Sequence, residues 1–597
     1  MWAREHERVA MTDGRDPDGE NSSPASEVTL QEEFRQEKLL NIEGKRPRMR
    51  FTGVHIRFGR TFFSVWWLVG IVVGLAVVLV VAAKLYAASS AGRGFLAQFP
   101  CIPLSPPVPA GMPAFVRWTH LLTFFFLVII VRSGLQVLAD HPRLYTQVHC
   151  TPGREWLRFR GPVPTDQVWT AKQDTITLSP LVGLPGGRHT IGVARHWHFI
   201  FDILFVVNGI VYAVFLVSTP WLHRLLPTDA SIFPAAASCA VTYLSLHLPG
   251  GASGFFRYDA LQQLSYFAVI FILAPLAILT GLAMSPALDN RFRWYARLFG
   301  NRQIARSIHF LVMVAFVLFF IGHMALVVLT GFAPNLNDIT LGNNNNNLQG
   351  IAIWLAVIAL VIAFNVWAVR FSWTHTRVLQ RVSNLTVGRL MDLLFDHAAP
   401  RVEYARKDIS PYLWPNHARL PDSPEWYALK DDDFRAYRLK VHGLVEHPVE
   451  LSMDQIKAMA TQSQITLHHC IQGWSGIAEW GGLPFADLIK LVRPKPEAEW
   501  VMFYSFAAGG EGDDRYYDSH SIKDLRHRQS LLAYEMNGER LPILHGRPLR
   551  LRVENQLGFK HVKWISEIEF VHHFRDRCAG QGGYNEDHEF FGYRDEI

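Results

Sequence analysis

The stretch ARSIHFLVMVAFVLFFIGHMALV, residues 305–327, decides how this chain is read. It is apolar for long enough to cross a bilayer core of about 30 Å, yet it carries His309 and His323. These stand fourteen residues apart, close to a whole number of turns, so both rings leave one face of a helix. At about 1.5 Å per residue they lie roughly 21 Å apart along its axis. Polar side chains at membrane depth are functional candidates by default. Two ligands, one near each surface, account for the pair.

Working outward, runs able to span occur near 62–83, 115–137, 198–218, 262–284, 307–330 and 351–370. Segment 232–248 is shorter and contains Pro234, so it reads as interfacial or re-entrant. Six membrane helices are therefore expected within an apolar region, 61–371, of a 597-residue chain. Residues 1–60 read as a disordered cytoplasmic tail, 372–402 as a basic juxtamembrane segment, either an amphipathic surface helix or a linker, and 403–597 as soluble. The first run lacks a small-residue cleavage site and no twin-arginine signal precedes it, so it reads as an uncleaved anchor.

Lysine and arginine set the orientation. Residues 44–60 hold six, loop 139–197 seven, 285–306 five and 370–390 four, against two, two and none in 84–114, 219–258 and 331–350. The alternation places both termini on the cytoplasmic side of a bacterial inner membrane. It also explains the net charge of +6, which is no sign of nucleic acid. The five cysteines form no CxxC and no regular spacing, so neither a disulfide framework nor a four-thiolate metal site is expected.

Depth then pairs the histidines. Adjacent spans run in opposite directions, so His120 and His323 lie toward the outer side and His198 and His309 toward the cytoplasm. Two pairs at matching depths describe two bis-histidine haems b; any one of them alone would read as well as a helix–helix hydrogen bond. His196 and His198 are about 200° apart on a helix, so one of them ligates, and His196, nearer the basic loop, is placed at the interface. His223 and His247 fall in loops.

Several segments in this region, SGLQVLADHPRLY (133–145), RHWHFIFDILFVVNGIVYAV (195–214), YDALQQLSYFAVIFILAPLAILTGLAMSP (258–286) and ARSIHF (305–310), resemble bacterial cytochrome b subunits of the thiosulfate reductase and formate dehydrogenase type. The likeness covers about 115–331 and implies a four-helix dihaem core, with His120, His198, His309 and His323 at the ligand positions. The span at 62–83 lies outside that core, and by the charges it inverts the core in the membrane.

Beyond the membrane region, FRAYRLKVHGLVEHPVELS alternates like strands, SLLAYEMNGERLPILHGRPLRLRV reads as two strands about an Asn537-Gly538 turn, and HVKWISEIEFV is another strand. Short helical patterns, MDQIKAMA and FADLIKLV, complete an α+β domain. Within it, ITLHHCIQGWSGIAEWGG (465–482) sets Cys470 among histidines, tryptophans and glycines. A lone cysteine in such surroundings is more often buried structure, but His468 and His469 could lower its pKa, and the turns of IQGWSG offer backbone N–H groups to an anion.

YRLKVHGLV (437–445), HHCIQGWSGIAEWGGLPFADLI (468–489), LLAYEMNGERLPILHGRPLRLRV (531–553) and GFKHVKW (558–564) resemble the molybdenum-cofactor domain of the sulfite oxidase superfamily. That likeness implies Cys470 as the thiolate on molybdenum, a soft anionic ligand, with His469 beside it. It further implies Asn416, His469, His545, Arg550, Gly558, Phe559, Lys560 and Lys563 around one molybdopterin. Sulfite oxidases proper carry a CAGNR-type stretch here, whereas Cys470 is followed by IQGWS. This resembles the bacterial protein-methionine-sulfoxide reductase catalytic type; it puts sulfite in doubt and leaves an S- or N-oxide or sulfite as the substrate classes.

The whole reads as a membrane-bound molybdenum oxidoreductase fused to its own dihaem cytochrome b. It would exchange electrons with the quinone pool or another carrier and act on a small-molecule or peptide oxide. A non-catalytic haem protein with a degenerate C-terminal domain, serving docking or redox sensing, is the alternative. A transporter is disfavoured, because no paired broken helices occur.

Overall fold

The protein is described by a computed structural model over residues 53–59, 61–101, 111–165, 168–187, 191–247, 258–395, 402–415, 420–509, 515–578, 580 and 582–583. Residues 1–52 of the expected tail, and Asn416, lie outside these described residues.

Among the described residues, six helices are long and apolar enough to cross a membrane: Val65–Ala88, Ala114–Asp140, Ile191–Val217, Ala260–Ala283, Arg302–Leu341 and Gln349–Thr374. They are the six expected, called spans 1 to 6 below. Most of their large apolar side chains face outward, as in lipid, where the hydrophobic effect does not drive packing. Span 5 starts at Asn301, whose side chain accepts from the Gln303 and Ile304 amides at 2.9 and 3.1 Å, satisfying two donors that a helix start leaves open. It kinks at Gly331 (φ 145°), three residues before Pro334, close to the expected end of the crossing. The 13-residue helix Ile232–Leu244 is too short to span, as read.

One bridge went unread and one expectation is corrected. Cys101 and Cys239 form a single disulfide across 138 residues, which is no disulfide framework; spacing carries no signal when the chain after span 1 meets the distant helix Ile232–Leu244. And the segment before span 1 is not wholly a tail. β1 (His55–Phe58) pairs with β2 (Thr61–Ser64) and with β4 (Leu157–Arg158), which pairs with β3 (Arg143–Leu144). The decisive partner lies a hundred residues on, beyond any local pattern. The basic stretch after span 6 forms helices Thr376–Ser383 and Arg389–Phe395 with a wider π turn between. It buries Leu379, Val387 and Phe395, so it is packed structure.

The C-terminal domain is built on two sheets. One runs β10 (Arg515–Ser521), β9 (Trp500–Ala508), β14 (Ile565–Val571), β5 (Arg438–Gly443), β6 (Val449–Ser452); the other runs β12 (Glu539–Arg540), β11 (Ser530–Met536), β8 (Ser475–Pro484), β7 (Gln462–His469), with β13 (Arg550–Val553) also on β11. Only β14 and β5 are parallel among these pairs. Alternate residues of both sheets (Leu439, Val441, Phe503, Ile568 from one, Leu483, Leu532, Leu551 from the other) close one apolar core. The β11–β12 turn has Asn537 and Gly538 at φ 56° and 82°, the left-handed pair that a two-residue hairpin requires. Helices Met453–Ala458 and Phe485–Val492 lie where their patterns placed them.

Candidate haem and molybdenum sites

Spans 2 and 5 bring the rings of His120 and His323 to 6.2 Å between centroids, and spans 3 and 5 bring those of His198 and His309 to 6.4 Å. Two imidazoles bound to one metal from opposite sides, at about 2.0 Å each, have centroids roughly 6.4 Å apart. Both gaps therefore fit a bis-histidine iron. These are the two pairs that the spacing argument puts together.

The His198–His309 pair is held by a repeated device. Nδ1 of His198 lies 3.1 Å from the Ile130 carbonyl and 3.0 Å from Ser133 Oγ. Nδ1 of His309 lies 3.1 Å from the Ala277 carbonyl and 3.1 Å from Thr280 Oγ1. A carbonyl only accepts, so Nδ1 carries the proton in both rings and Nε2 is left as the ligand nitrogen. Asp202 Oδ2 stands 3.6 Å from Nε2 of His198, beyond hydrogen-bond length. His196, placed at the interface by its position in the sequence, is fully buried near the start of span 3. His223 and His247 lie outside the spans.

Cys470 follows β7 at a tight turn closed by the Gly473 amide on the Cys470 carbonyl (3.0 Å) and the Cys470 amide on the Trp474 carbonyl (3.1 Å). Gly473 has φ 97°, a conformation glycine adopts without strain. The thiol is buried, with Gln472 Oε1 3.8 Å away. Beside it His469 is buried, and among the described residues neither of its ring nitrogens is hydrogen-bonded. Burial, and then the Arg302 charge, hold that imidazole well below its ordinary pKa. A buried imidazole without a partner is costly, and this one fits a polar cofactor rim.

The other expected residues line the far side of the same loop. Arg550, at the start of β13, donates to the His545 carbonyl at 3.0 Å, while its Nε finds no partner. Lys563 donates to the Leu544 carbonyl at 3.0 Å. Burial and the Arg550 charge push its ammonium well below its ordinary pKa. Arg552 and Lys560 instead have carboxylates, Glu554 and Asp518. Arg550 thus stands beside these two pairs with a guanidinium nitrogen open to a further acceptor, which suits a phosphate. At Gly558 a Cβ would sit 2.1 Å from His468 Cε1, so only glycine fits against the β7 end. Phe559 offers its carbonyl to Tyr516 at 2.7 Å. Arg552, which donates to His468 Nδ1 at 2.8 Å, was missed in the sequence, where it reads as one more basic strand residue.

Also missed was how the Cys470 turn meets the membrane part. Gln303 Nε2 donates to the Gly473 carbonyl (2.9 Å) and Ser475 Oγ (3.0 Å), and Arg302 Nη1 to the Gly473 carbonyl (3.2 Å). Gln472 Nε2 reaches the Asp140 carbonyl at 3.1 Å. The turn therefore rests on the end of span 2 and the start of span 5, six residues, about 9 Å of helix, before His309. An apolar cluster seals the junction, joining Tyr145, Cys150 and Trp169 to Trp414, Cys470 and Trp474.

Fold and site together define a membrane cytochrome b carrying a sheet-rich cofactor domain on one end. Residues 111–341 match the family model for prokaryotic cytochrome b561, which covers spans 2 to 5, and residues 427–578 match that for the oxidoreductase molybdopterin binding domain. The chain is 30% identical to the uncharacterized oxidoreductase YuiH of Bacillus subtilis over 26% of its own length and 75% of that protein. It is 34% identical to the protein-methionine-sulfoxide reductase catalytic subunit MsrP of Xanthomonas axonopodis pv. citri over 23% of its length and 45% of that protein. Another match is YedZ1 of Azospira oryzae, provisionally named a protein-methionine-sulfoxide reductase subunit, at 31% identity over 26% of this chain and 57% of that one. The chain thus spans about half the length of the MsrP and YedZ1 relatives. It belongs to the family of molybdopterin-binding oxidoreductases, with a cytochrome b region in the same multi-pass membrane chain.

Proposed function

We propose that the protein reduces a sulfoxide-type substrate at a molybdenum site and draws the electrons from quinol through two haems b. The sulfoxide takes up two electrons and two protons, its sulfur–oxygen bond breaks, and a sulfide and one water leave. One quinol supplies the two electrons, releasing two protons and becoming quinone. Bound molybdenum would supply oxygen-atom transfer, and the haems one-electron relay. Cys470 would ligate molybdenum, His469 would stand at its rim, and Arg550, Lys563, Lys560, His545, Gly558, Phe559 and Asn416 would hold the pterin. His198 and His309 would bind the inner haem, His120 and His323 the outer. The division into 1–60, 61–371, 372–402 and 403–597 accompanies this reading, with the segment 55–58 joined to the membrane region.

The observation that carries the proposal is the seating of the Cys470 turn on Gln303 and Arg302, one short helical stretch from His309. A degenerate docking domain has no need of a buried thiol against the haem-bearing helix. The direction and the substrate class follow the names of the relatives. The Cys101–Cys239 bridge supports the orientation read from the arginines: disulfides persist on the oxidising side, and these two loops are those with few basic residues. Cys470 then faces the cytoplasm of a bacterial inner membrane. The test is to reduce the purified protein anaerobically, add methionine sulfoxide, and follow the haem absorption. Reoxidation in the wild type and none in Cys470→Ser is expected. Equal rates in both, or no reoxidation by any sulfoxide, overturn the proposal.

A further inference from the structure

The four histidines differ in what holds them. Ser133 and Thr280 sit on spans 2 and 4, and each is followed by glycine. Ser133 Oγ donates to the Ile129 carbonyl at 2.8 Å, and Thr280 Oγ1 to the Leu276 carbonyl at 2.6 Å. With its own proton so used, each hydroxyl is an acceptor toward the histidine Nδ1–H. The following glycines admit the rings: a Cβ on Gly134 would lie 3.1 Å from His198 Cε1, and one on Gly281 3.6 Å from His309 Cε1. Two spans thus present the same hydroxyl, carbonyl and glycine to two facing imidazoles.

The outer pair is treated otherwise. Among the described residues, no ring nitrogen of His120 or His323 has a hydrogen-bond partner. His323 stacks on Phe319 at 5.6 Å, with Tyr266 edge-on at 6.2 Å. An imidazole that donates from Nδ1 is a more basic ligand through Nε2. A more basic ligand favours the ferric ion over the ferrous, and hydrogen bonding around the ligand is one of the levers by which a protein sets a haem's potential.

We infer that Ser133 and Thr280 are positioning residues that give the Nδ1–H of His198 and His309 a second acceptor beside the Ile130 and Ala277 carbonyls and so hold the inner haem at a lower potential than the outer. This rests on the two-haem reading above. The inner haem would then be the harder of the two to reduce and the stronger donor toward the Cys470 turn beside it.

The experiment is a spectroelectrochemical titration of the purified full chain, with haem counted chemically in every sample. His198→Ala identifies the inner component as the one it removes. In wild type that component should be the lower of two. In Ser133→Ala and Thr280→Val it should move upward while the other stays. Ser133→Thr and Thr280→Ser should restore it. Two haems with the inner component unmoved in both variants, or already the higher in wild type, overturn the inference alone. A wild type with a single haem overturns the two-haem reading and the inference with it.

Discussion

Asp174→Asn should loosen the platform under the Cys470 turn, and the structure sets how much. Arg143 is fully buried and donates from Nε and Nη2 to both oxygens of Asp174 and from Nη1 to Glu155, each at 2.8 Å, with no exposure at any of the three side chains. Burial alone would lower the Arg143 pKa, but Asp174, and after it Tyr145 and Glu155, reverse this and hold it above its ordinary range. Neutralising Asp174 leaves a buried guanidinium with one carboxylate. At an effective dielectric near 20, charges about 4 Å apart attract by about 4 kcal/mol, in line with the 3–5 kcal/mol typical of breaking a buried pair from one side. For a unit of about 150–250 residues this corresponds to a fall of about 6–20 °C in melting temperature. The assay is thermal unfolding of the purified protein in detergent, with haem absorption followed separately from tryptophan emission. Arg143→Met with Asp174→Leu and Glu155→Leu should recover much of the loss, because it removes the charges together. A melting temperature for Asp174→Asn within two degrees of wild type would refute the reasoning.

Three further outcomes are expected. His198→Ala and His309→Ala should each remove the same haem and leave the other's spectrum; two haems per chain in either variant contradicts the pairing. Stability should drop as pH falls, because burial holds His520, His545 and His561 well below their ordinary pKa. Below about pH 6.5 the unfolded chain takes up protons that the native one refuses, at up to about 1.4 kcal/mol per group per pH unit; denaturant midpoints equal at pH 7.5 and 5.5 would contradict this. A reporter active only after export, fused after Ile597, should be silent, while Cys101 and Cys239 resist alkylation in intact cells until a membrane-impermeant reductant is added. An active reporter reverses the orientation.

What could be read in advance divides along physical lines. Periodic signals held: a fourteen-residue histidine interval on one helix, six apolar runs, and Asn537-Gly538 between alternating strands. Signals needing a partner far along the chain did not. Ser133 is an ordinary small residue in a helix until span 3 brings His198 to it. Gln303 is one polar residue at a helix start until the Gly473 carbonyl arrives. β1 is four residues whose partner, β4, comes a hundred later, and the Cys101–Cys239 bridge closes 138. The open guanidinium nitrogen of Arg550 became visible only when Glu554 and Asp518 proved to be occupied by Arg552 and Lys560.

The seam between the Cys470 turn and spans 2 and 5 has a kinetic meaning. Proteins that exchange electrons by collision depend on how densely both populate the membrane. Here the partner is always present, at an effective concentration fixed by the chain itself. On the proposed electron route, delivery to the turn would be first order in the chain itself, whatever the density of copies in the membrane. The same seam removes independence: cut free at 402, the sheet domain would expose Trp414, Ile471, Trp474 and Leu557, an apolar patch of the kind that makes isolated domains associate. Fusion has made the encounter permanent and the parts inseparable.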